Sequence, residues 1–381
     1  MEQLKKRKRW WYAVFIFVFF LAALEVTGRI YLKYFLQKSA TPKFRFNSFR
    51  IYEHVPGFRE GDKSGNWIEI NQQGFRRSSD VVMQKPLNTL RIFLMGASSA
   101  HGISSAAPFP LRHIYNNETI DVFLENLLEK EFKEKNIEVI NAAVTGYQFF
   151  QQTNYLMNEI VKYDPDMIIF FDGTNDCYIS NPAYNYFDGN KFQFWKKRLQ
   201  QPAVSGIFDY TMLWCSKFSG FARGYISWKG IKEAEEITSS NPSYLREISK
   251  ESRLTDQGEV AHKTWLPVLQ TNFNILKQHK IKTVFALQPM LVLRNQALLS
   301  KLEKDFGFTD QNCVNVYGNV TKQLDSICAV NQVAFIDCNT FFNDTLLKQK
   351  QLFIDYCHLT PDANKVVAER LFPEIRKQFT E

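Results

Sequence analysis

Only six cysteines occur in 381 residues, and no two of them form a C-x-x-C pair. A zinc ribbon or a thioredoxin-like redox motif therefore lacks its defining residues. Histidine is equally sparse, at six. There is no H-E-x-x-H, and His54, His113, His262 and His279 show no metal-ligand spacing. Neither a catalytic metal nor a cofactor is expected. Internal repeats and low-complexity tracts are absent, which excludes a solenoid or a disordered chain. Excess charge is small. Lys and Arg number 47 against 39 Asp and Glu, a net +8, and five of the positive charges are clustered at Lys5–Arg9. The basic character is largely this local tag, so no nucleic-acid partner is expected.

What the chain does have is a long apolar run at its start. "WWYAVFIFVFFLAAL", Trp10–Leu24, is unbroken. At 1.5 Å per residue it spans about 22 Å of a ~30 Å hydrocarbon core, and continuation through Glu25 to Gly28 brings it closer to full width. Trp10, Trp11 and Tyr12 suit one interface, and the cations before them suit the cytoplasmic side. The alternative is a cleaved signal peptide, but "LAALEVTG" crowds Leu24 and Glu25 where small residues are needed. The expectation is an uncleaved single-pass anchor, N-terminus in the cytoplasm and body outside. In that compartment disulfides are permitted. Six cysteines allow fifteen full pairings, and buried thiols fit a chain of this size equally well.

The expected organisation is a basic tail and transmembrane anchor over 1–36, a turn-rich lead-in over 37–88, and an α/β domain over 89–381. "TLRIFLMG" (89–96), "IEVINAAV" (137–144) and "DMIIFFD" (166–172) read as buried strands. Between them, 119–136 and 148–163 carry helical spacing. An aromatic and polar insertion occupies 181–262. The rhythm resumes with a helix at 264–279, the strand "KTVFALQP", a helix around 314–329, the strand "VAFID", and a last helix at 361–379. Strands alternating with helices predict a three-layer α/β/α sandwich around a central parallel sheet.

Ligands of open parallel sheets bind outside the carboxyl ends of the strands. "GASS" follows the first strand, "NAAVTGY" (141–147) the second and "DGTND" (172–176) the third, while "DYCHLTPDAN" (355–364) precedes the last helix. Acyl transfer needs a hydroxyl nucleophile, a base beside it, a group orienting that base, and donors for an oxyanion. Ser98 can be the nucleophile, His358 the base and Asp355 its orienting carboxylate. The N–H groups of Ser98 and Gly146 and the Asn175 amide can form the oxyanion hole. Each residue alone has a plainer reading: Ser98 and Asp355 as caps, Gly146 as a tight backbone, Asn175 and Asp176 as a turn. Ser99 competes with Ser98, and His101 is a weaker second base. Cys177 and Cys357 flank two of these residues, as packing thiols or as a bond between loops.

Together, "GAS", Gly146, "GTND" and "DYCH" resemble the four signature blocks of the SGNH hydrolases, the GDSL-type lipase and esterase superfamily. The resemblance covers about 89–181 and 263–381, and implies a flavodoxin-like sheet order. Its functional Ser, Gly, Asn and His match Ser98, Gly146, Asn175 and His358, and Asp355 matches its Asp-x-x-His pairing. Ala97 departs from the family's usual Gly-Asp-Ser. The α/β-hydrolase alternative wants G-x-S-x-G, but Ala100 stands at the last position. The resemblance implies a serine esterase forming an acyl-serine on O-acyl, foremost O-acetyl, esters. The anchor suggests envelope or extracellular glycans as substrate, with a lipid ester as the other class. An acyltransferase using the same site, or a catalytically idle glycan-binding scaffold, are the alternatives.

Overall fold

A computed structural model of the chain describes residues 2–33, 43–61, 65–102, 114–178, 206–226, 228–229, 265–307 and 309–380. Most of the expected insertion at 181–262 lies outside the described residues, as do His113 and His262. Two compact units are present: Met1–Phe46 with Tyr186–Arg246, and Asn47–Asn185 with Glu247–Glu381.

In the first unit, one helix runs from Glu2 to Tyr31. Its segment Lys8–Tyr31 is long and apolar enough to cross a membrane. Trp10, Phe15, Phe17 and Phe19 are all exposed, so no protein core accounts for their hydrophobicity. A second helix, Ile207–Cys215, belongs to this unit.

The second unit is built on a five-stranded sheet. Short strands come first: β1 (Phe44–Asn47, at the boundary of the units), β2 (Ile51–His54), β3 (Arg59–Gly61) and β4 (Trp67–Glu69). Of these, β3 and β4 form an antiparallel hairpin. The sheet itself contains β5 (Thr89–Gly96), β6 (Asn136–Asn141), β7 (Met167–Asp172), β8 (Lys282–Leu287) and β9 (Ala334–Asp337), in the order β6-β5-β7-β8-β9. Every neighbouring pair is parallel.

Why these segments are strands follows from their two-sided burial. Side chains alternate between faces, and both faces here are covered, so β7 is apolar at nearly every position and buried at all. Ile92, Leu94, Ile169 and Val284 pack on one face against Leu124, Leu128, Val367, Leu371 and Ile375. Those partners come from helices Ile120–Glu131 and Pro361–Thr380. The intervening residues supply the other face, an aromatic layer. Phe170 lies 5.0 Å from Phe149 and 6.4 Å from both Phe273 and Phe285, ring centre to ring centre. Phe149 and Phe273 lie on helices Phe149–Asn158 and Leu266–Gln278. The architecture is thus the expected three-layer α/β/α sandwich.

Two helices end earlier than their periodicity suggests. The helix expected to reach residue 136 stops at Glu131, because Asn136 already pairs with Thr89 at the start of β6. The segment 148–163 is α-helical only to Asn158, then tightens into a 3-10 turn over Ile160–Tyr163. Among the described cysteines, Cys215, Cys313, Cys328, Cys338 and Cys357 are free thiols.

Candidate active site

Strand β5 lies between β6 and β7, with Leu94 opposite Asn141 and Gly96 opposite Phe171. The chain crosses to one side of β5 to make β6 and returns to the other side to make β7. The carboxyl ends of β5 and β7 therefore flank the topological switch point, where a crevice opens in such sheets. Ser98 leaves the end of β5, Gly146 follows β6 and Asn175 follows β7. All three are half-buried.

Ser98 begins a single helical turn, Ser98–His101, closed by Gly102 in the left-handed region. Asn141 holds this turn from below, donating at 2.9 Å to the Ala100 carbonyl and at 2.7 Å to Asp121. Arg76, from the lead-in, clamps its far end. The buried guanidinium donates to the carbonyl oxygens of His101, Gly102 and Ile114. Burial pulls the pKa of Arg76 down to about 10, against the pull of Asp121 and Glu118.

His358 arrives from a loop pinned at both ends. Ile354 N–H donates to the His358 carbonyl at 2.8 Å, and Thr360 N–H to that of Leu352 at 2.9 Å. Within it, Asp355 uses its two oxygens differently. Oδ1 accepts the N–H groups of Cys357 and His358, each at 2.9 Å, which forms the turn. Oδ2 lies 2.7 Å from His358 Nδ1. In the neutral ring the carboxylate thus keeps the proton on Nδ1 and leaves Nε2 as the acceptor. Nε2 is 2.8 Å from Ser98 Oγ. Asp355 is 1% exposed and His358 7%, so bulk water does not compete for this chain of hydrogen bonds.

Burial opposes a charged imidazole at His358. The Cys357 sulfur, 3.6 Å from Nδ1, and the Asp355 hydrogen bond outweigh it and lift the pKa to about 10. Among the described residues, Asp355, Cys357 and His358 also bring possible ligand atoms within 4.8 Å of one another. Asp355 already spends its oxygens on Nδ1 and two amides, so a cation there would have to break the Asp355–His358 contact.

The other serine is placed differently. Ser99 is buried; its hydroxyl donates to the Cys357 carbonyl at 2.8 Å and accepts from Gln288 Nε2 at 2.8 Å. It ties the Ser98 turn to the His358 loop and to the end of β8, rather than facing the imidazole. His101 is also buried away from Ser98: its Nδ1 is 3.2 Å from the Ala143 carbonyl and its ring lies 4.5 Å from that of His54.

Gly146 adopts φ +77, and a Cβ there would stand 2.8 Å from the Tyr52 hydroxyl. That hydroxyl donates to the Thr145 carbonyl at 2.8 Å, so only glycine fits beneath it. Asn175 Nδ2 donates to the Tyr147 carbonyl at 2.8 Å, which leaves its second hydrogen for another acceptor. Asp176 accepts from Phe149 N–H, locking the β7 loop onto the helix after β6. Asp172 accepts from Gln152 at 2.7 Å, and burial pushes its pKa up to about 7. Cys177's side chain lies outside the described residues.

Arg76, Gln288, Asn141 and Tyr52 were not singled out by the sequence. Each acts across the fold; Asn141 opens the "NAAVTGY" block and Arg76 lies in the turn-rich lead-in, but nothing local marks either as a residue that holds the Ser98 turn.

No family model matches the sequence, and no curated protein matches it. Solved structures do. An acetylxylan esterase from Geobacillus stearothermophilus is 13% identical, with a TM-score of 0.41 over 75% of this chain and 94% of that one. The acetyl xylan esterase AlAXEase is 12% identical, with a TM-score of 0.41 over 75% of this chain and 100% of its own. An alpha/beta hydrolase from the metagenome of Lake Arreo, Spain, is 11% identical, with a TM-score of 0.41 over 74% and 94%. At this level of likeness the functional reading rests on the chain's own residues.

Proposed function

We propose that the chain is a membrane-anchored serine esterase that removes O-acyl, foremost O-acetyl, groups from glycans outside the cytoplasm. The observation that carries this reading is the unbroken line Asp355–His358–Ser98, at 2.7 and 2.8 Å. Three groups in that order at a strand end are what activation of a weak hydroxyl nucleophile requires. The SGNH-like blocks around Ser98, Gly146, Asn175 and His358 support the same assignment. The body's location outside the cytoplasm rests on Lys5–Arg9 preceding the apolar helix.

Ser98 Oγ attacks the acyl carbon while its proton passes to His358 Nε2. Asp355 stabilises the imidazolium without taking the proton. The developing oxyanion is met by the N–H of Ser98, the N–H of Gly146 and the free hydrogen of the Asn175 amide. The first N–H groups of a helix have no partner within it, which leaves that of Ser98 available. Donors set in place beforehand cost no reorganisation when charge appears. Collapse of the intermediate expels the sugar oxygen, which takes the proton from Nε2, and leaves acyl-Ser98. Water, activated by His358 in the same way, releases the acid and regenerates the serine.

Release of acetate tests this. The full chain in detergent is given p-nitrophenyl acetate and an O-acetylated glycan. Wild type is expected to release acetate and Ser98→Ala to lose that activity. A folded wild type that acts on neither ester, or a Ser98→Ala variant as active as wild type, contradicts the reading. Acetyl appearing on an added sugar rather than as free acetate identifies the acyltransferase.

A further inference from the structure

We infer that residues 206–226 and 228–229 form a lipid-facing helical hairpin that lies in the outer interface of the membrane crossed by the N-terminal helix. This rests on the reading of that helix as a membrane span and goes beyond the catalytic assignment.

Helix Ile207–Cys215 has its polarity reversed for a protein in water. Its one charged residue, Asp209, is buried at 4% exposure. Asp209 accepts from the Tyr225 hydroxyl at 3.0 Å and pairs with Lys229, which closes the hairpin from inside. The opposite face is apolar and bare. Ile207, Tyr210 and Trp214 follow at i, i+3 and i+7, on one side of the helix, and are 87%, 64% and 62% exposed. Phe208 and Phe218 are exposed beside them. Trp214 and Phe218 meet edge to face at 5.0 Å, so the face is ordered rather than scattered. A patch of this kind marks an interaction surface.

Its position names the occupant. The second arm of the hairpin, helical over 220–226, is bolted to the end of the apolar helix. Glu25 accepts from Ser219 Oγ at 2.7 Å, Gly220 N–H at 2.8 Å and Phe221 N–H at 3.2 Å. Beside it, Gly28 lets the two backbones touch: a Cβ at Gly28 would fall 2.3 Å from Phe221 Cα, and one at Gly220 would fall 2.5 Å from the Arg29 side chain. Small residues permit this approach between membrane helices. A ~30 Å hydrocarbon core entered near Trp10 is left about twenty residues later, close to Gly28 and Arg29. The hairpin is therefore held at the level where acyl chains give way to headgroups. Trp and Tyr favour that level, since an apolar ring and a polar edge are both accommodated there. Lys217 and Arg223 supply cations beside it, while Arg29 is paired with Glu25 at 2.8 Å. Lipid then covers both the span and the bare apolar face of the hairpin.

Lipid-borne quenching of tryptophan tests the inference. The full chain is reconstituted in phosphatidylcholine vesicles whose acyl chains are brominated near the glycerol end. Emission of Trp214→Phe, and of the double variant Trp10→Phe/Trp11→Phe, is subtracted from that of wild type. Circular dichroism checks that both variants keep wild-type helix content. Loss of most of the Trp214 emission, together with that of Trp10 and Trp11, is the expected result. An unquenched Trp214 beside quenched Trp10 and Trp11 overturns the inference, leaves the span intact, and assigns the face to a protein partner. If none is quenched, the membrane span itself fails and the inference falls with it.

Discussion

Replacing Asp355 by Asn alters one group and leaves the shape of the loop in place. In the native chain Oδ1 holds two amides at 2.9 Å and Oδ2 holds His358 Nδ1 at 2.7 Å. An asparagine can keep its carbonyl oxygen on the two amides, so the turn survives and stability should fall by about 1 kcal/mol or less. Its NH2 group must then point at Nδ1. A donor facing Nδ1 forces the ring proton onto Nε2, where it meets Ser98 Oγ as a second donor and cannot accept the serine proton. Wrong-tautomer variants of serine triads lose about 10⁴-fold in kcat. At 1.36 kcal/mol per decade that is about 5 kcal/mol of barrier, far more than the stability change. Asp355→Ala should behave differently, leaving two buried N–H groups without an acceptor at about 1–3 kcal/mol each. The assay is ester turnover by wild type and both variants, with thermal unfolding measured alongside. An Asp355→Asn enzyme within tenfold of wild type would refute the orienting role given to the carboxylate.

Other expectations follow from the same geometry. Ser99→Ala removes a bridge between Gln288 and the Cys357 carbonyl, which Gln288 still reaches at 3.2 Å. It should cost about 1 kcal/mol of stability while sparing most activity, measured by denaturant unfolding and turnover. His358 must be neutral to accept a proton, and its pKa is raised to about 10. Activity should therefore rise with pH through the alkaline range and level off above that value, and Cys357→Ala should move the rise to lower pH in a kcat/KM profile. Arg76→Met strips the donors from three buried carbonyls. A stability loss of about 3 kcal/mol or more is expected on thermal unfolding, with a lower kcat as the Ser98 turn loosens.

The sheet was legible because its signal is local. A fully buried parallel strand must be apolar on both faces, and "TLRIFLMG" and "MIIFFD" have no other economical reading. Helix ends were less legible. Nothing in "KEKN" shows that Asn136 is already committed to pairing with Thr89. Motif order brought Ser98, Gly146, Asn175 and His358 into view, yet left Ser98 and Ser99 side by side. The G-x-S register favours Ser98, and the physical reason Ser99 is set apart is a contact across 258 residues, from its hydroxyl to the Cys357 carbonyl. Arg76 was hidden for the same reason: its acceptors are backbone carbonyls, which any sequence can provide. The pairing of Glu25 with Gly220 and Phe221 likewise joins segments nearly two hundred residues apart. Local patterns carry secondary structure and motif identity; the groups that hold a site in position come from contacts distant in the chain.

Ser98, and not its neighbour, is the proposed activated nucleophile. Covalent labelling by a fluorophosphonate probe tests it without knowledge of the natural substrate. The full-length wild type, Ser98→Ala and Ser99→Ala would be incubated with the probe and the modified residue located by mass spectrometry. Labelling of wild type and of Ser99→Ala at Ser98, and none in Ser98→Ala, is the predicted result. Folded wild type that takes up no probe, or labelling that persists in Ser98→Ala, would contradict the assignment of Ser98.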